Sequence, residues 1–372
     1  MKRNSKRLKS LEIRGFKSIP FQHPLKLEFG DINILLGANG AGKSNIISFF
    51  KMLESMMKGS FQRFVAQSGT SQRFLYYGPK QTPEMSASLR FNSPEGWIEY
   101  YFKLTAAVPD RLIISSEIIE GKIKQDMEAG QAVLRSDFSE SALYYATQAP
   151  VKNLRTLLDS CKVYRFSDSS TSAPMRQTSE VDSAHYLQSE ANNLAAFLYY
   201  LKNNHPDSFR RITEYVSDVV PQFREFYLEP ANGYISLKWM DKSPNDYVLS
   251  VDQFSDGSIR FIALATLLLQ PEETMPFVII IDEPELGLHP YAMGQLNEMI
   301  KDASRHAQII VATQSTAIVD GFSADNITVI DRDPNVQGSR ARQLSEKDYQ
   351  AWLEEYTLSE LWSKNIIGGR PV

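Results

Sequence analysis

A glycine-rich turn between an apolar run and a helix-like segment is the feature that most constrains the fold of this chain. Residues 37–44 read GANGAGKS, match the pattern GxxxxGK[ST], and lie between the run INILL and the segment NIISFFKMLESMM. This strand–turn–helix order predicts an α/β unit in which glycines let backbone N–H groups approach a phosphate and the helix N-terminus adds partial positive charge. The alternative is a chance glycine turn before a surface helix. The context favours a site for a nucleoside triphosphate.

The residues of this turn have separate predicted roles. Lys43 is expected to reach the β- and γ-phosphates of ATP, and the hydroxyl of Ser44 to bind Mg²⁺. The residues assigned to ATP binding in this segment are Gly37, Ala38, Asn39, Gly40, Ala41, Gly42, Lys43, Ser44 and Asn45.

A second apolar run ends in acidic residues. Residues 276–285 read PFVIIIDEPE, which is typical of a strand buried on both faces of a parallel sheet. Asp282 is expected to hold Mg²⁺ through water, and Glu283 to orient or deprotonate the attacking water. A strand that merely ends in acidic turn residues is the alternative. We expect this strand and the strand before the glycine-rich turn to be adjacent in one sheet.

A third segment, residues 254–260, reads FSDGSIR and precedes the apolar run FIALATLLL. A serine at a helix N-cap with a glycine nearby exposes N–H groups and a hydroxyl, which suits an anion. FSDGSIR resembles the signature of ABC-type ATPases, usually LSGGQ, and the set with GANGAGKS and IIIDEPELGLHP resembles the SMC, RecF and OLD branch. LEIRGFKSI is similar to the first strand of that branch, ATQSTAIVDGF to its switch segment, and LSELWSKNIIGGRP to the tail of stand-alone bacterial members.

The resemblance implies an α/β fold of the ABC-type ATPase kind, with a mixed central sheet, an antiparallel β subdomain and a helical lobe or insertion. It implies ATP and Mg²⁺ as cofactors and an ATP-dependent head-to-tail homodimer or higher oligomer. In that dimer, Ser255 and Gly257 are expected to contact the γ-phosphate held by the opposite protomer. The residues that the resemblance adds to the ATP site are Ser255, Asp256, Gly257, Ser258 and His289.

Three further positions are less determined. Gln314 stands at the switch position where many ABC-type ATPases carry His; glutamine can hydrogen-bond but cannot titrate, so hydrolysis is expected to be slow or differently regulated. His289 resembles a residue of the loop that crosses the dimer interface, and its alternative is a helix-entry residue before Pro290. A Q-loop glutamine is expected between the turn and the signature, with Gln81 as a guess.

For organisation, the chain is divided into three parts. Residues 1–110 form the N-terminal half of the ATPase domain with the phosphate loop and the β subdomain, residues 111–250 a helical lobe or insertion, and residues 251–372 the C-terminal half. Within the middle part, 3.6-residue periodicity predicts a helix that ends at His205 and Pro206. The residues on its apolar face are Leu187, Ala191, Leu194, Leu198 and Leu201.

Composition narrows the class of protein. The chain has 372 residues and 42% hydrophobic content, enough for one large or two ordinary domains. Cys161 is the single cysteine, so an intramolecular disulfide is excluded. No apolar run reaches the roughly 18 residues that span a bilayer, and the basic N-terminus lacks the apolar segment of a secretory signal. We therefore expect a cytoplasmic protein without membrane contact.

The net charge of −4 neither demands nor excludes DNA, because local patches can still contact phosphates. The basic residues near the start are Lys2, Arg3, Lys6, Arg7 and Lys9. They are interpreted as a solvated terminus, with a nucleic-acid or partner contact as the alternative. Phe74, Tyr76 and Tyr77 could stack on bases, but ordinary packing is favoured.

SMC-type relatives insert long coiled coils and OLD-type relatives append a Toprim nuclease domain, and neither feature fits this sequence. About 50 residues follow Gly321, too few for such a domain. Asp331 and Asp333 form a DxD pair, which is interpreted as a strand-end turn rather than a metal site. Trp352, Tyr356 and Trp362 could form a docking surface or pack on the core.

The sequence therefore predicts an ATP-binding and ATP-hydrolysing dimer that controls a separate effector, with a nuclease in prokaryotic antiphage defence favoured by the resemblance. A DNA-repair or chromosome-maintenance ATPase that binds DNA directly is the alternative. A third hypothesis is a regulatory ATP switch that barely turns over.

Overall fold

The computed structural model describes residues 6–94, 96–122, 130–134, 139–145, 147, 149–244 and 246–369. In chain order, the helices are α1 (Lys43–Met57), α2 (Phe61–Ser68), α3 (Thr70–Phe74), α4 (Ala142–Tyr145), α5 (Ala149–Asp159), α6 (Leu194–Asn204), α7 (Pro206–Val219), α8 (Asp256–Leu269), α9 (Pro290–Ala303), α10 (Thr316–Val319), α11 (Glu346–Leu353) and α12 (Leu358–Ser363). The strands are β1 (Arg7–Arg14), β2 (Leu25–Glu28), β3 (Ile32–Leu36), β4 (Glu84–Ser93), β5 (Gly96–Ala107), β6 (Arg111–Lys122), β7 (Gly130–Leu134), β8 (Cys161–Tyr164), β9 (Ser179–Glu180), β10 (Phe223–Tyr227), β11 (Tyr234–Ile235), β12 (Lys238–Asp241), β13 (Val248–Ser250), β14 (Val278–Asp282), β15 (Gln308–Thr313), β16 (Ile327–Asp333) and β17 (Gly338–Gln343).

A mixed six-stranded sheet carries the candidate site. Its strand order is β17-β16-β3-β15-β14-β8, in which β17 runs antiparallel to β16 and the other pairs are parallel. Every residue of β14 and β15 is buried, as expected of strands covered on both faces. The mixed central sheet predicted from the resemblance is confirmed.

The predicted adjacency of β3 and β14 was wrong. β15 pairs with both strands and lies between them. Sequence order could not show this, because β15 follows β14 along the chain yet inserts between two earlier strands. The three strands run parallel, so their carboxyl ends still meet at one edge of the sheet.

A second, antiparallel sheet has the order β2-β1-β4-β5-β6-β7. The buried residues of β5 alternate along the strand, and Phe102 stacks on Phe49 of α1 with ring centroids 6.1 Å apart. This sheet confirms the expected antiparallel subdomain. β6 and β7 continue this sheet beyond residue 110, and β8 joins the mixed sheet, so residues 111–250 contain strands as well as helices. The division of the chain at residues 110 and 250 stays a prediction.

The mixed sheet separates two hydrophobic cores. Successive residues of β14 face opposite sides: Ile279 packs in the core formed with α6, α7, α8 and α9, and Ile280 in the core formed with α1 and the antiparallel sheet. Cys161 lies in the second core, where burial raises the pKa of its thiol to about 12. Burial and a raised pKa are typical of a structural rather than a reactive cysteine.

Helix α6 begins later than predicted. It starts at Leu194 rather than near Leu187, because Ala191 has φ of 56°, outside the helical region. All five residues of the predicted apolar face are nevertheless buried. The helix ends at Asn204 as expected. Pro206 is the first residue of α7, a position where the N–H that proline lacks would have no partner within the helix.

Among the described residues, no helix is both long and apolar enough to cross a bilayer.

Candidate nucleotide site

The phosphate loop lies between β3 and α1, as predicted. A Cβ atom at Gly37 would overlap the carbonyl oxygen of Ile330, and one at Gly42, whose φ is 119°, would overlap the side chain of Ser339. Asn39 and Gly40 form the exposed tip. The loop is thus pressed against β16 and β17, and glycine is required at both ends of it.

Lys43 lies at the centre of this loop and is 5% exposed. Its ammonium donates to the carbonyl oxygens of Gly37 at 2.5 Å and Ala38 at 3.0 Å. Burial lowers the pKa of Lys43, and the carboxylates of Glu283 and nearby acids act in the opposite direction. Lysine and acids therefore interact across one edge of the mixed sheet.

A polar network supports the loop from outside. Asn45 donates to Ser18 Oγ at 2.6 Å, Ser18 Oγ lies 2.6 Å from Ser339 Oγ, and Ser339 donates to the carbonyl oxygen of Ala41 at 2.6 Å. The Ser44 side chain is exposed in the first turn of α1. Ser18 and Ser339 were missed by sequence reasoning; the GFKSI segment was a signal for the first, and the second had none.

Asp282 ends β14 and is 7% exposed. Burial raises the pKa of its carboxyl group, and Arg165 Nε lies 3.6 Å from its Oδ2 atom. Arg165 follows β8, directly beside β14 in the sheet. Gln81, the guessed Q-loop residue, instead lies in a turn before β4, where its N–H donates to Gly78. The side chain paired with Asp282 is therefore that of Arg165 rather than that of Gln81.

Glu283 adopts φ of 48°, a left-handed conformation that is costly for a residue with a side chain. Its N–H donates to the carbonyl oxygen of Ala312 at 2.8 Å, so the backbone is held by β15. Such strain is found where a fold fixes a side chain for function.

Glu285 is a third carboxylate at this edge, and the sequence reasoning did not assign it a role. Its Oε1 atom accepts from Thr313 Oγ1 at 2.7 Å and from the N–H of Gln314 at 3.1 Å. Its Oε2 atom is buried without a hydrogen-bond partner among the described residues, and burial raises the pKa of the group. The last acid of DEPE was the signal that could have found it. Gln314 lies at the expected strand end, and its catalytic role stays a prediction.

The signature segment forms the start of α8. Ser255 is the N-cap and accepts from the N–H of Ser258 at 3.1 Å, as predicted for a capping serine. Ser255 and Asp256 are exposed, and a Cβ atom at Gly257 would overlap the carbonyl oxygen of Gly287. The signature turn therefore packs directly on the loop that follows the acids.

His289 closes that loop as the N-cap of α9, and its Nδ1 atom accepts from the N–H of Tyr291 at 3.3 Å. This is the helix-entry geometry that was the alternative interpretation. His289 is exposed even though its side chain caps the helix. Its role at an interface stays a prediction.

Two arginines tie these segments together. Arg260 donates to the carbonyl oxygens of Phe166 at 2.9 Å and Leu286 at 2.9 Å. Arg176 is buried and donates to the carbonyl oxygens of Val251 at 2.7 Å and Phe254 at 3.1 Å. The arginines connect the chain after β8, the signature turn and the acidic loop, and no pattern in the sequence had indicated them.

A cavity of about 700 Å³ is connected to the phosphate loop through Ser18, which lies in its wall and accepts a hydrogen bond from Asn45. Its wall includes Lys17, Ser18, Tyr76, Tyr77 and Arg332. Tyr77 is 59% exposed, and its ring meets that of Tyr76 edge to face with centroids 4.6 Å apart. Of the predicted aromatic cluster, Phe74 is buried in the core, whereas the two tyrosines face this cavity.

The remaining candidates are surface features. Asp333 ends β16 and accepts from the N–H of Asn335 at 2.9 Å, the expected strand-end turn, and the described residues hold no group of three or more His, Cys, Asp or Glu suited to a metal. Arg7 pairs with Asp31, while Lys2 and Arg3 lie outside the described residues. In the tail, Tyr356 and Trp362 pack against the core and Trp352 is exposed.

Comparisons with known proteins agree with this architecture. A family described as "AAA domain, putative AbiEii toxin, Type IV TA system" matches residues 32–107 and 137–320. A search of curated proteins finds no match.

Two solved structures share the fold. A crystal structure of an Smc head bound to the C-winged helix domain of ScpA has 16% identity and a TM-score of 0.59, covering 92% of this chain and 99% of that one. An Smc head with an extended coiled coil, bound to the C-terminal domain of ScpA and derived from Pyrococcus furiosus, has 14% identity and a TM-score of 0.61, covering 94% and 99%. At these identities the likeness establishes the fold: that of an Smc head.

Proposed function

The chain belongs to this family of AAA domains, and on that premise we propose that it binds and hydrolyses ATP with Mg²⁺. The observation that carries the proposal is the position of Lys43, held in the phosphate loop and facing Asp282, Glu283 and Glu285 across the sheet edge. A cation beside several carboxylates is the charge arrangement that phosphoryl transfer uses.

The residues at this edge fit a magnesium ion. Ser44 offers an exposed hydroxyl in the first turn of α1, and Asp282 offers a carboxylate at the end of β14. The unpartnered Oε2 atom of Glu285 leaves a further oxygen acceptor in the same cluster. Mg²⁺ bound by Ser44 and Asp282 would neutralise phosphate charge.

Within this site, Lys43 binds the β- and γ-phosphates through the third hydrogen of its ammonium, since the carbonyl oxygens of Gly37 and Ala38 accept only two. Glu283 orients the attacking water and accepts its proton, since its backbone is fixed on β15. Gln314 hydrogen-bonds the water or the γ-phosphate without titrating. The cavity beside the loop provides room for the nucleoside.

We also propose that two copies associate head to tail on ATP. The side chains of Ser255 and Asp256 are exposed at the N-terminus of α8, so the signature turn presents its polar groups outward. A helix N-terminus binds anions, and the γ-phosphate in the loop of a second copy supplies one. Ser258, Gly257 and His289 complete the same face.

A separate partner protein is the proposed output of this cycle, with a nuclease in antiphage defence as the favoured case. The family description names a putative toxin of a toxin–antitoxin system, and both Smc heads are bound to a domain of another protein. A cytoplasmic location is part of this proposal. A chain that clamps DNA directly, as in repair or chromosome maintenance, is the second candidate, for which the Lys17 and Arg332 side chains of the cavity provide cations.

The primary test measures the melting temperature and phosphate release of the purified chain with ATP and Mg²⁺. We expect ATP to raise the melting temperature and phosphate to be released. If neither effect is observed, the loop does not bind ATP. Salt-dependent DNA binding by the isolated chain would favour the second candidate.

The effector is tested by incubating the pure chain with plasmid DNA and with RNA in the presence of ATP and Mg²⁺ or Mn²⁺. We expect ATP hydrolysis without cleavage of either nucleic acid. Cleavage that disappears when Asp331 and Asp333 are changed to Ala would place a nuclease within this chain. Purification from the native host identifies the partner directly.

A further inference from the structure

The C-terminal segment Ile366–Gly369 crosses the start of the phosphate loop. The carbonyl oxygen of Gly369 accepts a hydrogen bond from the N–H of Ala38 at 3.1 Å. Ile367, two residues earlier, is fully buried in the core below α12. The segment is therefore anchored in the core and meets the loop through its backbone.

The peptide that Gly369 holds is the one that also holds Lys43. The Gly37–Ala38 peptide offers its N–H to Gly369, and its carbonyl oxygen accepts from Lys43 Nζ at 2.5 Å. In a trans peptide the N–H and the C=O point in opposite directions, so this unit has the tail on one side and the lysine on the other. Donation by the N–H also polarises the carbonyl and strengthens it as an acceptor.

The position of the tail is fixed by several contacts. Arg342 donates through Nη2 to the carbonyl oxygen of Ile367 at 2.5 Å, and through Nη1 to the Tyr349 hydroxyl at 2.8 Å. Gly368 and Gly369 have φ of 72° and 82°, and a Cβ atom at Gly369 would stand 2.7 Å from Val329 Cγ1. A side chain at position 369 is thus opposed by both backbone conformation and space.

We propose that Gly369 is a positioning residue for the nucleotide site: its carbonyl fixes the Gly37–Ala38 peptide, and through it the ammonium of Lys43, before ATP arrives. This inference rests on the proposed ATP binding. A loop that is already ordered loses less conformational freedom on binding, so the hydrogen bond between Ala38 and Gly369 raises ATP affinity. Because it acts on binding rather than on the attacking water, it changes KM and leaves kcat in place.

The test compares Gly369→Ala with a matched control, Gly233→Ala. Gly233 has a nearly identical φ of 81°, but no atom lies within 4 Å of its Cβ position, and it belongs to the loop before β11. Loss of one hydrogen bond predicts an increase of about 3- to 10-fold in the Kd and KM for ATP with Mg²⁺ in Gly369→Ala, with kcat unchanged. The control keeps the parental Kd.

A second measurement does not depend on ATP. In ¹⁵N-alanine-labelled protein, the Ala38 amide should be protected from hydrogen exchange in the parent and in Gly233→Ala, and should exchange about 10-fold faster or more in Gly369→Ala. If Gly369→Ala does not fold, Arg342→Gln, which removes the anchor at Ile367, carries the same expectations, and Arg342→Lys should restore part of the affinity.

Two results would overturn the positioning role of Gly369. One is an unprotected Ala38 amide in the parent; the other is a released Ala38 amide together with a parental Kd for ATP. A parent that fails to bind ATP contradicts the proposed function instead, and the exchange of Ala38 still decides whether the tail holds the loop.

Discussion

The phosphate loop and the signature turn are both helix N-termini, yet they are finished in opposite ways. The loop before α1 closes on itself, because the Lys43 ammonium is buried against its own carbonyls and the loop packs against Ser339 and Ile330. The turn before α8 is open, with the Ser255 side chain exposed and its partners within one helical turn. One half is complete within the chain and the other points outward.

The two helix N-termini obtain their rigidity from different contacts. The loop is stabilised by burial and short contacts within the ATPase core. The signature turn depends on two long arginine side chains, Arg176 and Arg260, which bind backbone carbonyls from distant segments. We therefore expect changes in the loop to abolish nucleotide binding, and changes in the turn to affect events that need a second copy.

The largest expected effect is at Lys43. Lys43→Ala should abolish useful ATP binding and turnover while the fold persists, because the lysine interacts with loop carbonyls and ligand charge rather than with apolar packing. Thermal unfolding with and without ATP and Mg²⁺ measures this: ATP should raise the melting temperature of the parent alone. Equal stabilisation of both proteins would remove Lys43 from the site.

Ser255→Arg separates the two halves most directly. The new side chain stands at the exposed N-cap of α8, so one chain should bind ATP normally while ATP-dependent dimerisation and turnover are lost. Gel filtration with ATP and Mg²⁺, together with phosphate release, is the measurement. Full activity of this variant would refute a site composed from two chains.

The fold and the loop were predictable because their signals are local. Strand, glycine turn and helix follow one another within residues 32–57, and the capping serine precedes its helix directly. The order of the strands was not predictable, because β3 and β15 pair although most of the chain lies between them. Local periodicity likewise carried α6 too far toward the N-terminus, since it cannot register the positive φ of Ala191.

Sequence patterns indicated the polar residues at the carboxyl edge of the mixed sheet, and missed the residues that hold them in place. Asp282, Glu283 and the loop residues belong to short patterns, whereas Arg165 and Gly369 gain their positions through tertiary contacts. An arginine that binds backbone carbonyls leaves no trace in the sequence of its partners, since every residue has a carbonyl.

Glu283→Gln is expected to lower turnover by about 100-fold or more while ATP still binds, because the amide keeps the shape and cannot accept the proton. The ATP-bound dimer should then accumulate in gel filtration. Glu285→Gln is the matched comparison, since it lies two residues away and an amide oxygen can still accept from Thr313 Oγ1. A larger loss in Glu285→Gln than in Glu283→Gln would transfer the role of base to Glu285.

Arg260→Lys probes the supports of the signature turn. A lysine cannot reach the carbonyls of Phe166 and Leu286 together, so turnover should fall about 10-fold with ATP binding by one chain intact. Arg211→Lys, at an exposed pair with Asp302, is the control and should keep parental turnover. An equal effect of the two changes would mean that Arg260 does not position the turn.

The smallest expected change is in the melting temperature of Asp282→Asn, and it measures how much the buried carboxylate destabilises the fold. Burial raises the pKa of the Asp282 carboxyl above its unfolded value, so the ionised group destabilises the fold at pH above the folded pKa, and this penalty disappears as the pH falls below the unfolded value of about 3.8. Asparagine removes the charge, and we expect a melting temperature about 1–3 °C higher at pH 8, a gain that shrinks toward pH 4, together with loss of turnover. Thermal unfolding across this pH range is the measurement, with Asp218→Asn on the exposed face of α7 as the control that should change nothing. A lower melting temperature at pH 8 would mean that the carboxylate stabilises the phosphate-loop edge through its neighbours. The rigidity of the loop would then depend on this charge as well as on burial and short contacts.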